Sequence, residues 1–125
     1  MKNYHMVLLL ILSAVFGYVA SAHADEWTTS DTYREVAFQT LWAVDALQTR
    51  NIAENQNCWH EKNKYLGDHP TVGAVNRYFL VGALVHAGVS YLLPKSFREP
   101  FQYVTIGIEV GYVENNFSIG IRAQL

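Results

Sequence analysis

The chain has 125 residues, of which half are hydrophobic and only 16% are charged, against about 25% in ordinary soluble domains. Nine basic and eleven acidic residues give a net charge of −2, and no basic patch or stripe occurs, which argues against nucleic acid as a partner. The shortage of charge predicts that part of the folded surface does not face water.

The first 24 residues have the layout of a Sec-type export or membrane-insertion signal. Lys2 supplies the positive region, Met6 to Val19 is an apolar run of 14 residues, and Ala22-His23-Ala24 is an A-x-A cleavage site. Because a bilayer-spanning helix needs about 20 residues, we favour a cleaved signal peptide over an uncleaved signal anchor. Residues 25–125 are then predicted to form a single helical membrane domain.

The first predicted helix of this domain runs from about Thr32 to Glu54, and any residue of 28–31 could cap it. Polar side chains interrupt its apolar stretch at Asp45, Gln48 and Thr49. These three share one face of a helix because they are separated by three and four residues.

A polar connection and the strongest membrane-spanning candidate follow. Residues 55–71 are rich in turn-forming residues, whereas residues 72–93 are rich in Gly, Ala, Val and Leu and end before a proline. His86 is a polar member of this second predicted helix. Small residues such as Gly82 and Gly88 would let another helix approach closely.

Residues 101–121 fit two patterns. Apolar residues alternate with other residues on both sides of Glu114-Asn115-Asn116, which is typical of a β-hairpin. On a helix, Gln102, Glu109 and Asn116 repeat every seven residues and share one stripe. Since a hairpin cannot present open edges to lipid, we predict a helix. The predicted fold class is all-α, a small membrane helical bundle of three mature helices, with two helices plus a C-terminal β-hairpin as the alternative.

The distribution of charge predicts an orientation. If residues 25–31 lie outside, then 50–71 are cytoplasmic, 94–100 are outside and the C-terminus is inside. The predicted cytoplasmic connection and its flank contain more basic residues (Arg50, Lys62, Lys64 and Arg77) than the outer parts (Arg34, Lys95 and Arg98), as the positive-inside rule requires. The expected location is the bacterial inner membrane, and the periplasm is the alternative.

Several short motifs occur in a fixed order: Asp45-x-x-x-Thr49, then Glu61-x-Asn63-x-x-Leu66-Gly67, then Pro70, then His86 in a hydrophobic helix. This order resembles small uncharacterised polytopic membrane proteins of bacteria and phages, which commonly show Asp-x-x-x-Thr followed by Glu-x-Asn-Pro. Lys64 stands where the proline usually would. The resemblance covers residues 30–90 and implies a membrane bundle of three or four helices, but it implies no activity.

Each predicted helix contains one ionisable residue in apolar surroundings, namely Asp45, His86 and Glu109. Such a residue costs about 2.5 to 3.5 kcal/mol on membrane-insertion scales, so it usually faces the bundle and has a partner. We therefore predict that Asp45 and His86 meet inside the bundle with Glu109 nearby. The predicted intramembrane polar constellation is Asp45, Thr49, His86, Glu109 and Asn116, and Glu61 and Asn63 form a loop motif. We favour a structural hydrogen-bonded pairing, with a divalent-metal site or a proton site as alternatives.

No catalytic motif accompanies these residues. His60-Glu61 lacks the second histidine of H-E-x-x-H because Lys64 occupies that position, and no G-x-S-x-G or P-loop occurs. We expect a small integral inner-membrane protein without a cofactor, acting as an interaction or accessory protein, with the bilayer and another membrane protein as partners. The alternatives are a membrane-embedded metal- or proton-binding site in an enzyme or transporter-like protein, and a periplasmic or outer-membrane-associated protein.

Overall fold

The computed structural model describes residues 26–125. Within them the chain forms three helices and no strand: α1 (Thr29–Glu54), α2 (Val72–Leu92) and α3 (Lys95–Ser118). The all-α prediction is therefore confirmed, and the alternative of a C-terminal hairpin is wrong. The predicted signal at residues 1–24 lies outside the described residues.

Threonine side chains fix the beginnings of α1 and α2. The Thr28 hydroxyl accepts a hydrogen bond from the Asp31 N–H at 3.2 Å, and the Asp31 carboxylate accepts one from the Thr28 N–H at 2.8 Å. This reciprocal capping box begins α1 three residues before the predicted Thr32. The Thr71 hydroxyl similarly accepts from the Ala74 N–H at 3.1 Å at the start of α2.

Helix α3 begins six residues earlier than the predicted start at residue 101 and contains Pro100. A proline lacks the N–H that bonds to the preceding turn, so it removes one hydrogen bond near the start of α3 without ending the helix. At the other end Gly120 adopts a φ of +94°, in the left-handed region that favours glycine. This turn brings Ile121 into the core, where it is 2% exposed.

The three helices are arranged around α1, which packs along both α2 and α3, whereas α2 and α3 contact each other less. Helix α1 contacts α2 at Gly82, where the indole of Trp42 fills the space that a side chain would need. The Trp42 Nε1 donates to the Phe79 carbonyl at 2.7 Å. Gly82 thus admits a bulky side chain of α1, whereas nothing among the described residues lies within 4 Å of a Cβ added at Gly88.

The distribution of polarity is the reverse of that in a water-soluble domain, where charged side chains are rarely buried. Among residues 26–125, the buried set contains nine polar or charged side chains and six hydrophobic ones. The polar ones are Asp31, Gln48, Thr49, Asn51, His86, Ser90, Arg98, Gln102 and Glu109. Large apolar side chains cover the outside instead; Leu84 is 67% exposed and Val104 is 61% exposed.

We predict that Gly82→Ala destabilises the bundle. The added methyl group would collide with the Trp42 indole, and overpacking of this kind typically costs about 1–3 kcal/mol. Gly88→Ala is the matched control on the same helix, since nothing lies within 4 Å of its added Cβ. The control should be neutral or stabilising by roughly 0.5–1 kcal/mol, because alanine favours a helix over glycine. Thermal unfolding of both variants in one detergent measures the difference, and equal shifts would contradict the packing.

Candidate functional site

The buried polar residues form two separate groups. The first, which we call the charged cluster, comprises Asp31, Arg34, Glu35, His86, Arg98 and Gln102 and lies where α1 and α3 begin and α2 ends. The second, which we call the acidic cavity, is lined by Asp45, Glu61 and Glu109 and lies towards the connection between α1 and α2. The two groups differ in whether their charges are paired.

In the charged cluster, Arg98 joins all three helices although its side chain is only 1% exposed. Its Nη1 donates to Asp31 Oδ2 at 3.1 Å and its Nε donates to the Ser90 carbonyl at 2.8 Å. Its Nη2 donates to the Leu93 carbonyl at 2.9 Å. Because the last carbonyls of a helix have no partner within that helix, Arg98 also caps α2. Asp31 forms a second ion pair with Arg34, so the buried carboxylate has cations on two sides.

His86 lies between α1 and α3 within the same cluster. Its Nδ1 is 3.0 Å from Glu35 Oε1, and its Nε2 is 2.8 Å from Thr105 Oγ1. An ionised carboxylate only accepts hydrogen bonds, so Nδ1 carries a proton in this pair. The imidazole also stacks on the rings of Phe38 and Phe101, with centroids 3.4 and 4.9 Å away.

Thr105, His86 and Glu35 have the order of a hydroxyl–imidazole–carboxylate triad, but their surroundings do not suit catalysis. The Thr105 hydroxyl lies 2.9 Å from the Phe101 carbonyl and donates to it. His86 is 6% exposed, and none of the three residues lines the acidic cavity. The hydrogen bonds of this group join all three helices.

The prediction that Asp45 and His86 meet is wrong. His86 lies 14 residues after the start of α2, whereas Asp45 lies nine residues before the end of α1. Because the two helices run in opposite directions from their connection, His86 reaches a more distant part of α1 and pairs with Glu35. Glu35 and Asp45 are ten residues apart, which is about 15 Å along a helix axis. Asp45 Oδ1 instead accepts from Asn116 Nδ2 at 3.1 Å.

The acidic cavity has a volume of about 640 Å³ and is bounded by α1, α3, the start of α2 and the connection. Glu109 is 4% exposed, and its Oε2 has no hydrogen-bond partner among residues 26–125. The buried Oε2 of Glu61 is likewise without a partner there. Within the same residues, neither of these glutamates nor Asp45 forms an ion pair. The cavity thus contains three carboxylates without an ion pair among residues 26–125, although Lys62 and Lys64 also line it.

The loop motif brings Glu61 to this cavity. Its Oε1 accepts from the Asn63 N–H at 2.7 Å, and Asn63 Oδ1 accepts from the Tyr65 N–H at 3.0 Å. The Gly67 N–H then donates to the Asn63 carbonyl at 3.1 Å, and Gly67 has a φ of +76° that favours glycine. One carboxylate oxygen of Glu61 therefore orders the turn while the other remains unpartnered.

The predicted constellation is thus only partly one site. Asp45, Thr49, Glu109 and Asn116 line the acidic cavity together with Glu61 and Asn63, whereas His86 belongs to the charged cluster. Among residues 26–125, no group of three His, Cys, Asp or Glu residues is arranged to hold a metal ion. The three carboxylates face one space without converging on one point.

The sequence analysis missed most of the charged cluster. Asp31 and Glu35 are four residues apart on α1, and Arg98 and Gln102 are four residues apart on α3, so each pair shares a helix face. Both helices begin at the same end of the bundle, which brings the two pairs together. Assigning residues 94–100 to a connection concealed this complementarity.

Comparison of the chain with protein-family models, curated proteins and solved structures finds no match. The function is therefore argued from the two polar groups and from the apolar surface around them.

We predict that Glu35 and His86 are energetically coupled and that Asp45 and His86 are not. His86→Phe retains a ring between Phe38 and Phe101 but loses both hydrogen bonds. Combined with Glu35→Gln, it should give a coupling energy in the range of about 0.5–3 kcal/mol that is typical of contacting residues. Unfolding of the single and double variants measures this energy.

The matched control replaces Glu35→Gln with Asp45→Asn in the same cycle. Its losses should add to within about 0.3–0.5 kcal/mol, as for residues that share no partner. A coupling of Asp45 to His86 as large as that of Glu35 would refute the assignment of partners.

Proposed function

We propose that the protein is a small integral protein of the bacterial inner membrane, whose three helices form a bundle that serves as an interaction or accessory protein rather than an enzyme. The observation that carries this proposal is the inverted polarity of the bundle. Its interior holds ion pairs and hydrogen-bonded polar groups, whereas its outer surface is covered by large apolar side chains.

The apolar surface fits a bilayer in extent as well as in chemistry. Exposed apolar side chains follow α2 (Leu80, Val81, Leu84 and Val85) and α3 (Val104, Ile108, Val110 and Tyr112). Water contact with such side chains is unfavourable by about 25 cal/mol per Å². At about 1.5 Å per residue the helices are roughly 39, 32 and 36 Å long, enough for a hydrocarbon core of about 30 Å.

Helix α2 is the one helix in residues 26–125 that is long and apolar enough to cross a membrane by length and composition alone. A core helix of a soluble protein can meet the same criterion, but such a helix is mostly buried, whereas only 17% of the most apolar window of α2 is buried. Helices α1 and α3 contain more polar residues. Because Asp31, Arg98 and Glu109 lie inside the bundle, these residues are compatible with apolar outer faces on both helices.

Two features favour interaction over catalysis. The triad-like group of Thr105, His86 and Glu35 lies away from the cavity and is occupied by structural hydrogen bonds. Gly107 and Gly111 are exposed and four residues apart on α3, next to the acidic cavity that Gly111 lines, and nothing among the described residues lies within 4 Å of a Cβ added at either. Small residues at this spacing allow a second transmembrane helix to approach closely.

We predict that the protein remains with inner membranes after a carbonate wash, with residues 55–71 on the cytoplasmic side. Cys58 is exposed in this connection and is the only cysteine of the chain, so it reports orientation without engineering. A membrane-impermeant maleimide should label Cys58 in detergent-opened membranes but not in intact spheroplasts, because the bilayer separates the reagent from the thiol.

The control is Ser96→Cys in a Cys58→Ser background, which moves the thiol to an exposed position near the start of α3. This thiol should be labelled in intact spheroplasts. Release of the wild-type protein by carbonate would refute the membrane proposal, and labelling of Cys58 from outside would refute its orientation.

A further inference from the structure

The ion pairs and hydrogen bonds of the charged cluster, which join the three helices, do not involve the carboxylates of the acidic cavity. Asp45, Glu61 and Glu109 line one cavity, and their carboxylates have the same charge when ionised. Like charges in a low-dielectric interior repel strongly, so either protons or a cation must relieve the repulsion. In the charged cluster arginines form ion pairs with a buried carboxylate. In the acidic cavity, Lys62 and Lys64 are exposed lining residues, and among residues 26–125 neither forms an ion pair with any of the three carboxylates.

Glu109 is the residue that points to a ligand. Only 4% of its surface is exposed, and it lines the cavity. Its Oε2 has no hydrogen-bond partner within the described residues. A buried carboxylate oxygen without a partner is costly, and in native structures such an atom is usually met by a bound water, ion or ligand. A cation in the cavity would supply the missing donor.

The walls of the cavity select the kind of cation. Five aromatic side chains line it (Trp42, Tyr65, Tyr78, Phe79 and Tyr112), and the rings of Trp42 and Tyr78 are 5.9 Å apart between centroids. Aromatic faces attract ammonium groups, whereas magnesium and calcium require several converging oxygen ligands. Since no three metal-ligating side chains converge among the described residues, the walls suit an organic ion better than a metal ion. A volume of about 640 Å³ is also ample for a small organic group.

We propose that the acidic cavity binds an organic ammonium group, with Glu109 as its principal counter-ion and the aromatic side chains as its walls. The ammonium group belongs either to a free amine or to the ethanolamine headgroup of a membrane lipid. Lys62 and Lys64 also line the cavity from the exposed connection, where they would accommodate an anionic group attached to the same ligand.

The test uses the full-length protein in dodecyl maltoside, a detergent without an ammonium group. One arm titrates ethanolamine hydrochloride by calorimetry, with sodium chloride at equal ionic strength as the blank. The other arm titrates dihexanoyl phosphatidylethanolamine, with dihexanoyl phosphatidylglycerol as its blank. We expect saturable binding in at least one arm; binding of ethanolamine assigns a free amine, and binding of the lipid alone assigns a headgroup. Because neither arm requires a bilayer, this test can fail independently of the membrane proposal.

Glu109→Gln should weaken the binding by about tenfold or more, since it removes the charge but preserves the shape. Glu114→Gln is the matched control, because Glu114 is an exposed carboxylate on α3 that does not line the cavity, and it should change affinity less than about twofold. If Glu109→Gln does not fold by circular dichroism, Asp45→Asn serves in its place. An absence of saturable binding in both arms, or equal affinity of the wild type and the cavity variant, would overturn the proposal.

Discussion

The ion pair between Arg98 and Asp31 lies in a part of the bundle that water does not reach, and the register of the three helices depends on it. Removing one partner from a buried pair typically costs about 3–5 kcal/mol, because the other charge is left uncompensated. Arg98 also donates hydrogen bonds to the Ser90 and Leu93 carbonyls at the end of α2. One guanidinium thus ties the start of α1, the end of α2 and the start of α3. With that end fixed, the inward polar stripe of α3 follows α1 to its far end, where Asn116 donates to Gln48.

The two polar groups of the interior differ in how their charges are balanced. In the charged cluster, Asp31 and Glu35 have cationic or hydrogen-bonding partners on neighbouring helices. The charges at this end of the bundle are therefore balanced by residues of the protein itself. In the acidic cavity, Glu109 has neither an ion pair nor a partner for its Oε2 within residues 26–125. Natural proteins depart from complete polar satisfaction chiefly at functional sites. We therefore regard the charged cluster as the scaffold and the acidic cavity as the functional part of the bundle.

The sequence contained enough local information to predict the three helices but not the partners between them. The seven-residue spacing of Gln102, Glu109 and Asn116 correctly predicted α3, because a helical stripe is a local property of the chain. The partner of His86 was predicted wrongly, because it depends on the register of α2 against the antiparallel α1. That register is not a local property of the sequence. The cavity residues Asp45 and Glu109 were identified from the energetic cost of an ionisable residue in an apolar helix. Arg98 was not predicted to be buried, because residues 94–100 were assigned to an outer connection instead of to the start of α3.

We propose that the apolar sides of the helices face lipid, whereas their polar sides face each other. Spin labels introduced one at a time along residues 103–112, in a Cys58→Ser background reconstituted into vesicles, test it most directly. The account predicts that labels at Val104 and Ile108 are relaxed by oxygen and little by a water-soluble nickel chelate, whereas labels at the inward positions Thr105 and Glu109 respond to oxygen much less, with the helical period of about 3.6 residues. Strong relaxation by the nickel chelate at both Val104 and Ile108 would contradict it, because these side chains would then face water.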